Sequence, residues 1–145
     1  MKFLILNGPN LNLLGIREPD IYGRRTFADL CAFIEATCRD EQIECELYQS
    51  NHEGDLVTKI QQALGVFDGI VINPAAYTHT SVAILDALKA VGIPTVEVHL
   101  SEISEREEFR RFSYVSLYAF ETITGKGFEG YAQAIRTLKK KLNRN

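Results

Sequence analysis

A tyrosine five residues after an arginine, a histidine two residues after a glutamate, and asparagines that end apolar runs are the side chains here best suited to chemistry. Arg17 and Tyr22 stand in N-G-P-N-L-N-L-L-G-I-R-E-P-D-I-Y-G at 7–23, and Glu97 and His99 in V-E-V-H-L-S at 96–101. A free tyrosine, with a pKa of about 10, is a poor base at neutral pH. Acting there needs a depression of up to ~3 units, of which one close arginine supplies ~1–3. The other reading of Tyr22 is a packing anchor in a loop. Alternation along a strand puts Glu97 and His99 on one face, where the carboxylate can orient the imidazole. That pair is either a general acid with its orienting partner or a buried histidine satisfied by a structural glutamate. The residues alone leave both readings open.

The remaining unusual polar residues gather behind three apolar runs. Asn7 and Asn10 follow the first, Asn73, Tyr77 and His79 the run 69–73, and Glu97, His99 and Ser101 end or follow 95–98. Ser101 and the backbone amides beside it suit a carboxylate. Of Arg106, Arg110 and Arg111, one aimed at a crevice would hold a hydroxyl or a carboxylate. The stretch from about 8 to 23 is long for a structureless connection, and such loops are commonly functional. Its Leu11, Leu13, Leu14 and Ile16 can be buried, so a flap over a site is expected rather than disorder.

The elements that must position these groups alternate from end to end. Strands are expected near 2–6, at 44–48, 69–73, 95–98 and from Val115 to about Ile123. Between them run helical patterns: from Thr26, with Thr26-x-x-Asp29 as a capping box, over Phe27, Leu30, Cys31, Ile34 and Cys38; then over Leu56, Val57, Ile60, Ala63, Leu64 and Phe67. A third begins near Thr80-Ser81, carries Leu85, Leu88 and Val91, and stops at Gly92 and Pro94. The last places Tyr131, Ala134, Ile135, Leu138 and Leu142 inward. Regular βα alternation over 145 residues predicts a single catalytic domain spanning 1–145. It is an α/β fold, a flavodoxin-like open parallel five-stranded sheet of order 2-1-3-4-5 with helices on both faces. In that order the strands before the three polar clusters are neighbours. Their carboxyl ends flank the topological switch point, where ligands of open α/β sheets bind.

Composition narrows the partners. Apolar content of 46% and charged content of 24% suit a soluble globular chain, and a net charge of -3 offers no electrostatic case for nucleic acid or a membrane. No apolar run approaches a membrane span. The apolar part of Met1–Asn7 is too short for a signal peptide, so a cytoplasmic protein is expected. Cys31, Cys38 and Cys45 have no zinc or redox spacing and read as core residues. Lys139, Lys140, Lys141 and Arg144 close the last helix, where cations favour the dipole. Neither G-x-x-x-x-G-K-[ST] nor G-x-G-x-x-G occurs; Gly125-Lys126-Gly127 reads as a helix start. His52, His79 and His99 lie on different loops without ligand spacing, so no metal is expected, and His52 reads as a local cap or a subunit contact. A flavin carrier would want a hydroxyl-rich phosphate loop in place of Asn-Gly-Pro-Asn, and a phosphoacceptor an acidic cluster at the strand ends. What remains is acid–base chemistry on a substrate without a cofactor.

Taken together, the segments closely resemble type II 3-dehydroquinate dehydratase over nearly the whole chain. The resemblance rests on 7–23, Q-S-N-H-E-G at 49–54, I-N-P-A-A-Y-T-H-T-S at 72–81, V-E-V-H-L-S at 96–101 and R-E-E-F-R at 106–110. It implies dehydration of 3-dehydroquinate to 3-dehydroshikimate in the shikimate pathway, by anti elimination through an enolate and with no cofactor. By motif position, Tyr22 is then the base, Arg17 lowers its pKa, and Asn10 helps hold a water on the enolate oxygen. His99, oriented by Glu97, protonates the departing hydroxyl. Asn73, Ser101 and the amides of Leu100 and Ser101 meet the substrate carboxylate, while His79 and Arg110 hold ring hydroxyls. The resemblance further implies a homo-oligomer, a dodecamer built as a tetramer of trimers, with Asp86 reaching a neighbouring subunit's site. Departures are few: Ala75 stands where glycine is usual, and Ser104 and Phe112 where histidines are common.

Overall fold

The computed structural model describes residues 1–16, 20 and 24–144. Lys2–Asn7 forms strand β1, flanked in parallel by β2 (Glu44–Gln49) and β3 (Gly69–Asn73); β4 (Thr95–Val98) and β5 (Glu121–Ile123) continue the sheet past β3. The order is β2-β1-β3-β4-β5, as the alternation predicts. Helices α1 (Phe27–Asp40) and α4 (Phe128–Asn143) cover one face, and α2 (Glu53–Gln62) and α3 (Val82–Val91) the other.

Strand periodicity divides the core. Phe3 and Ile5 of β1 pack with Val71, Val96 and Val98 beneath α1 and α4, whereas Leu4 and Leu6 pack with Ile70 and Ile72 beneath α2 and α3. Both faces of the central strands are thus dry, which is why these runs are apolar throughout. Helix ends follow their local chemistry. Thr26 and Asp29 form the reciprocal capping box, Ser81 Oγ accepts the Ile84 amide at 2.9 Å, and Gly92 closes α3 at a φ of 66°. Gly127 precedes α4 and Lys140 and Lys141 lie in its last turn. Cys38 is buried beside Leu30 and Ile34, Cys31 and Cys45 are half-buried, and all are free thiols. Burial pushes the Cys38 thiol upward, so it is inert packing.

Several expectations are corrected in whole or in part. The strand expected over 115–123 is only Glu121–Ile123; Val115–Leu117 is a 3-10 turn. Ser113 Oγ accepts the Ser116 amide at 3.1 Å and Ser116 Oγ donates to the Ser113 carbonyl at 2.6 Å, so local side-chain bonds take the backbone out of the ladder. Leu64 is exposed, because α2 stops at Gln62 and the chain turns before Phe67 re-enters the core. His52 occupies the N-cap position of α2, but its ring caps nothing; Ser50 Oγ accepts the His52 amide at 3.0 Å instead. In the loop after β1, Leu11 and Leu14 are buried as expected, while Leu13 and Ile16 are exposed.

Candidate active site

The carboxyl ends of β1, β3 and β4 open into a cleft of about 680 Å³, part of it open to solvent. Asn10, Asn73, His79, His99, Leu100, Ser101 and Arg110 line it together with Ala75 and Arg106. Sequence reasoning therefore brings most of its candidates to one place. Glu97 lies just behind the wall. Asp86 is exposed on α3 and does not line this chain's cleft. Arg17 and Tyr22 lie outside the described residues.

Glu97 is wholly buried on β4 and is the most heavily bonded carboxylate described. Its Oε2 accepts from Thr78 Oγ1 at 2.8 Å, from Ser113 Oγ at 2.7 Å and from His99 Nε2, while Oε1 accepts from Thr122 Oγ1 at 3.2 Å. Burial alone would raise its pKa; the bonds from His99, Ser113 and Thr78 outweigh burial and hold it below the ordinary value. The pair is thus a buried carboxylate fixing one nitrogen of a ring that lines the cleft. With Nε2 turned to Glu97, Nδ1 is the nitrogen left to exchange a proton with a ligand. Thr78 was passed over inside its motif, and Ser113 and Thr122 lie too far along the chain for any spacing rule to find.

His79 Nδ1 meets the Phe112 carbonyl at 2.8 Å and must donate there, which leaves Nε2 as an acceptor in the neutral ring. Desolvation, opposed by that bond and helped by nearby His99 and Arg110, lowers its pKa, so neutral pH favours the uncharged form. Arg110 ends the short turn Glu108–Arg110; its Nε lies 2.7 Å from Glu107 Oε2, which holds the half-buried guanidinium beside the cleft. Leu100 and Ser101 turn their carbonyls to the amides of Gly127 and Gly125, each at 3.1 Å. In a trans peptide the N–H points opposite the C=O. The Ser101 amide therefore points away from that glycine loop, and among the described residues it has no partner.

The loop after β1 is fastened from β2. Asn51 Oδ1 accepts the Asn10 amide at 3.0 Å and Gln49 Nε2 at 3.1 Å, and Gln49 also reaches the Gly8 carbonyl at 3.1 Å. Tyr77 donates its hydroxyl to the Asn51 carbonyl at 2.9 Å, so the segment at 49–54 joins the loops after β1 and β3. Asn10 sits at a φ of 70°, a conformation asparagine tolerates better than most residues. Gly8 donates its amide to Asn73 O at 2.8 Å, and a Cβ on Gly8 would run into the Pro74 carbonyl. The strand ends of β1 and β3 are therefore in backbone contact at the cleft floor. Among the described residues no group of three or more His, Cys, Asp or Glu side chains is placed to hold a metal ion.

Comparison with known proteins agrees in sequence and in shape. The family described as dehydroquinase class II matches residues 1–139. The 3-dehydroquinate dehydratase of Clostridium acetobutylicum is 51% identical over 144 residues, covering 99% of this chain and 100% of that protein. A catabolic 3-dehydroquinase of Verticillium alfalfae is 53% identical over 134 residues, 92% of this chain and 89% of that one. The crystal structure of a type II dehydroquinase from Butyrivibrio crossotus superposes with a TM-score of 0.94 at 51% identity, covering 96% and 97% of the two chains. With the strand order, the cleft and these similarities in agreement, the chain belongs to the class II dehydroquinase family.

Proposed function

We propose that this chain is a type II 3-dehydroquinate dehydratase, a carbon–oxygen lyase of the shikimate pathway that eliminates water from 3-dehydroquinate to give 3-dehydroshikimate. The observation that carries the reading beyond family membership is the buried Glu97–His99 pair opening onto a cleft lined with amide, hydroxyl and guanidinium groups. Hydroxide is a poor leaving group and needs an acid. His99 gives its Nδ1 proton to the departing hydroxyl, and the Glu97 carboxylate balances the ring while both nitrogens are protonated. The proton beside the ketone is weakly acidic and needs a base and a stabilised enolate. Tyr22 takes that proton, Arg17 lowers its pKa, and Asn10 helps hold a water on the enolate oxygen.

Asn73, Ser101 and the Leu100 and Ser101 amides receive the substrate carboxylate, with His79 and Arg110 on the ring hydroxyls. No cofactor enters this scheme. Asp86, absent from its own cleft, extends to the site of a neighbour in a dodecamer assembled as a tetramer of trimers. The assembly works in the cytoplasm; among the described residues no helix is long and apolar enough to cross a membrane.

The product is a conjugated enone-acid and the substrate is not, so absorbance reports turnover directly. Rising ultraviolet absorbance with 3-dehydroquinate, surviving both chelator and borohydride, is the expected result. Substrate binding without any rise would sink the assignment. Tyr22→Phe is expected to abolish turnover and leave binding largely intact; equal loss of both would make the tyrosine an anchor.

A further inference from the structure

Beneath the cleft floor, on the α1 and α4 face of the sheet, Asn7 of β1 and Asn73 of β3 stand opposite each other in register, and Tyr131 of α4 meets both. All three side chains are buried. The scheme above uses Asn73 and gives Asn7 and Tyr131 no part.

Their hydrogen atoms can be assigned from one fixed donor. The Ala75 amide can only donate, so the Asn73 atom it meets at 3.1 Å is Oδ1. The other end of that side chain is then the nitrogen, and it donates to the Tyr131 hydroxyl at 3.0 Å. The single phenolic proton is left for Asn7 Oδ1, at 2.6 Å. One N–H of Asn73 is consumed in this way and one remains, on a residue that lines the cleft. Asn7 Nδ2 ends the series, buried and without a partner among the described residues. The Ala75 amide thus sets the direction of the series, and Asn7, by taking the phenolic proton, keeps the hydroxyl an acceptor towards Asn73.

We infer that Tyr131 is a positioning residue, whose hydroxyl holds the Asn73 amide so that its remaining N–H is presented to the substrate carboxylate. The inference rests on the dehydratase reading and on the place of Asn73 in it. An Asn73 turned by half a rotation would set its nitrogen against the Ala75 amide and offer an oxygen to a carboxylate, and both contacts repel. Phenylalanine would fill the same volume without the acceptor that, with the Ala75 amide, holds the correct rotation.

The test is steady-state kinetics with 3-dehydroquinate on the unaltered chain, Tyr131→Phe, Asn73→Ala and the double variant, each with thermal unfolding. A carboxylate is present in ground state and transition state alike, so the loss falls on KM, with kcat changed much less. Tyr131→Phe should raise KM about tenfold, as for a hydrogen bond to a charged group. The double variant should be no worse than Asn73→Ala alone, because the two residues act as one. Effects that multiply, or a Tyr131→Phe protein that melts earlier but keeps its KM, overturn the inference. Should Tyr131→Phe not fold, Asn7→Ala removes the phenol's acceptor, and it too should raise KM only where Asn73 is present; an unchanged KM there overturns the inference. No turnover by the unaltered chain would sink the dehydratase reading and this inference with it, and is seen before any variant is compared.

Discussion

Ala75 has a φ of 54°, in the left-handed region that costs a residue with a Cβ about 1–2 kcal/mol. Glycine there escapes the strain and loses about 0.5–1 kcal/mol in chain entropy. Ala75→Gly should therefore stabilise the chain by up to ~1 kcal/mol, a rise of a few degrees in Tm by calorimetry; a lower Tm would contradict the strain. Acid should destabilise in two stages. The pKa of His79 lies below its ordinary 6.5, so as pH falls past that value the unfolded chain takes up a proton that the folded one resists. The Glu97 value lies below its ordinary 4.5, so its stabilisation is complete above 4.5 and is lost as pH falls through the folded value. Denaturant midpoints should drop across both windows, and Glu97→Gln should flatten only the lower one. The same variant should cost about 10²-fold or more in kcat, since His99 loses its counter-charge. Glu97 with His99 was legible because strand alternation is local. Tyr131 was legible only as core, because its helical spacing is that of its apolar neighbours and a hydroxyl leaves no mark in periodicity.

At the scale of elements, the cleft depends on how closely β1 and β3 approach where they end. Gly8→Ala forces a Cβ against the Pro74 carbonyl, so the bond from Gly8 N to Asn73 O must open. A loss of more than ~2 kcal/mol is expected from such a backbone collision, together with lower activity, because Asn73 moves with the strand. Unfolding and turnover measured on one sample check both; an unperturbed Tm would show that the loops can part. Capping signals such as Thr26 with Asp29, and the stop at Gly92, were readable because each acts within a few residues. The region 115–123 was misread because its apolar content fits a strand, while Ser113 and Ser116 redirect the backbone through bonds that hydropathy does not register.

For the whole molecule, strand order was legible from βα alternation, since a parallel sheet with right-handed crossovers leaves few arrangements. Assembly was not, because the groups that would meet a neighbour look like any solvated surface; it enters through family resemblance alone. Asp86 makes the proposal testable without a complex in hand. If it serves the adjacent site, Asp86→Ala and His99→Ala should each be nearly inactive, yet mixed and reassembled they should regain activity at about a quarter of the sites by random pairing. No recovery would confine each site to one chain. Asn51 carries a consequence of another kind. It is exposed and does not line the cleft, yet it fastens Asn10, Gln49 and Tyr77 at once. A replacement there keeps the backbone carbonyl that Tyr77 uses but removes the one oxygen that the Asn10 amide and Gln49 share, so two partners on different loops lose their acceptor together. Intolerance to substitution in this fold is therefore expected to mark out shared anchorage as well as chemistry.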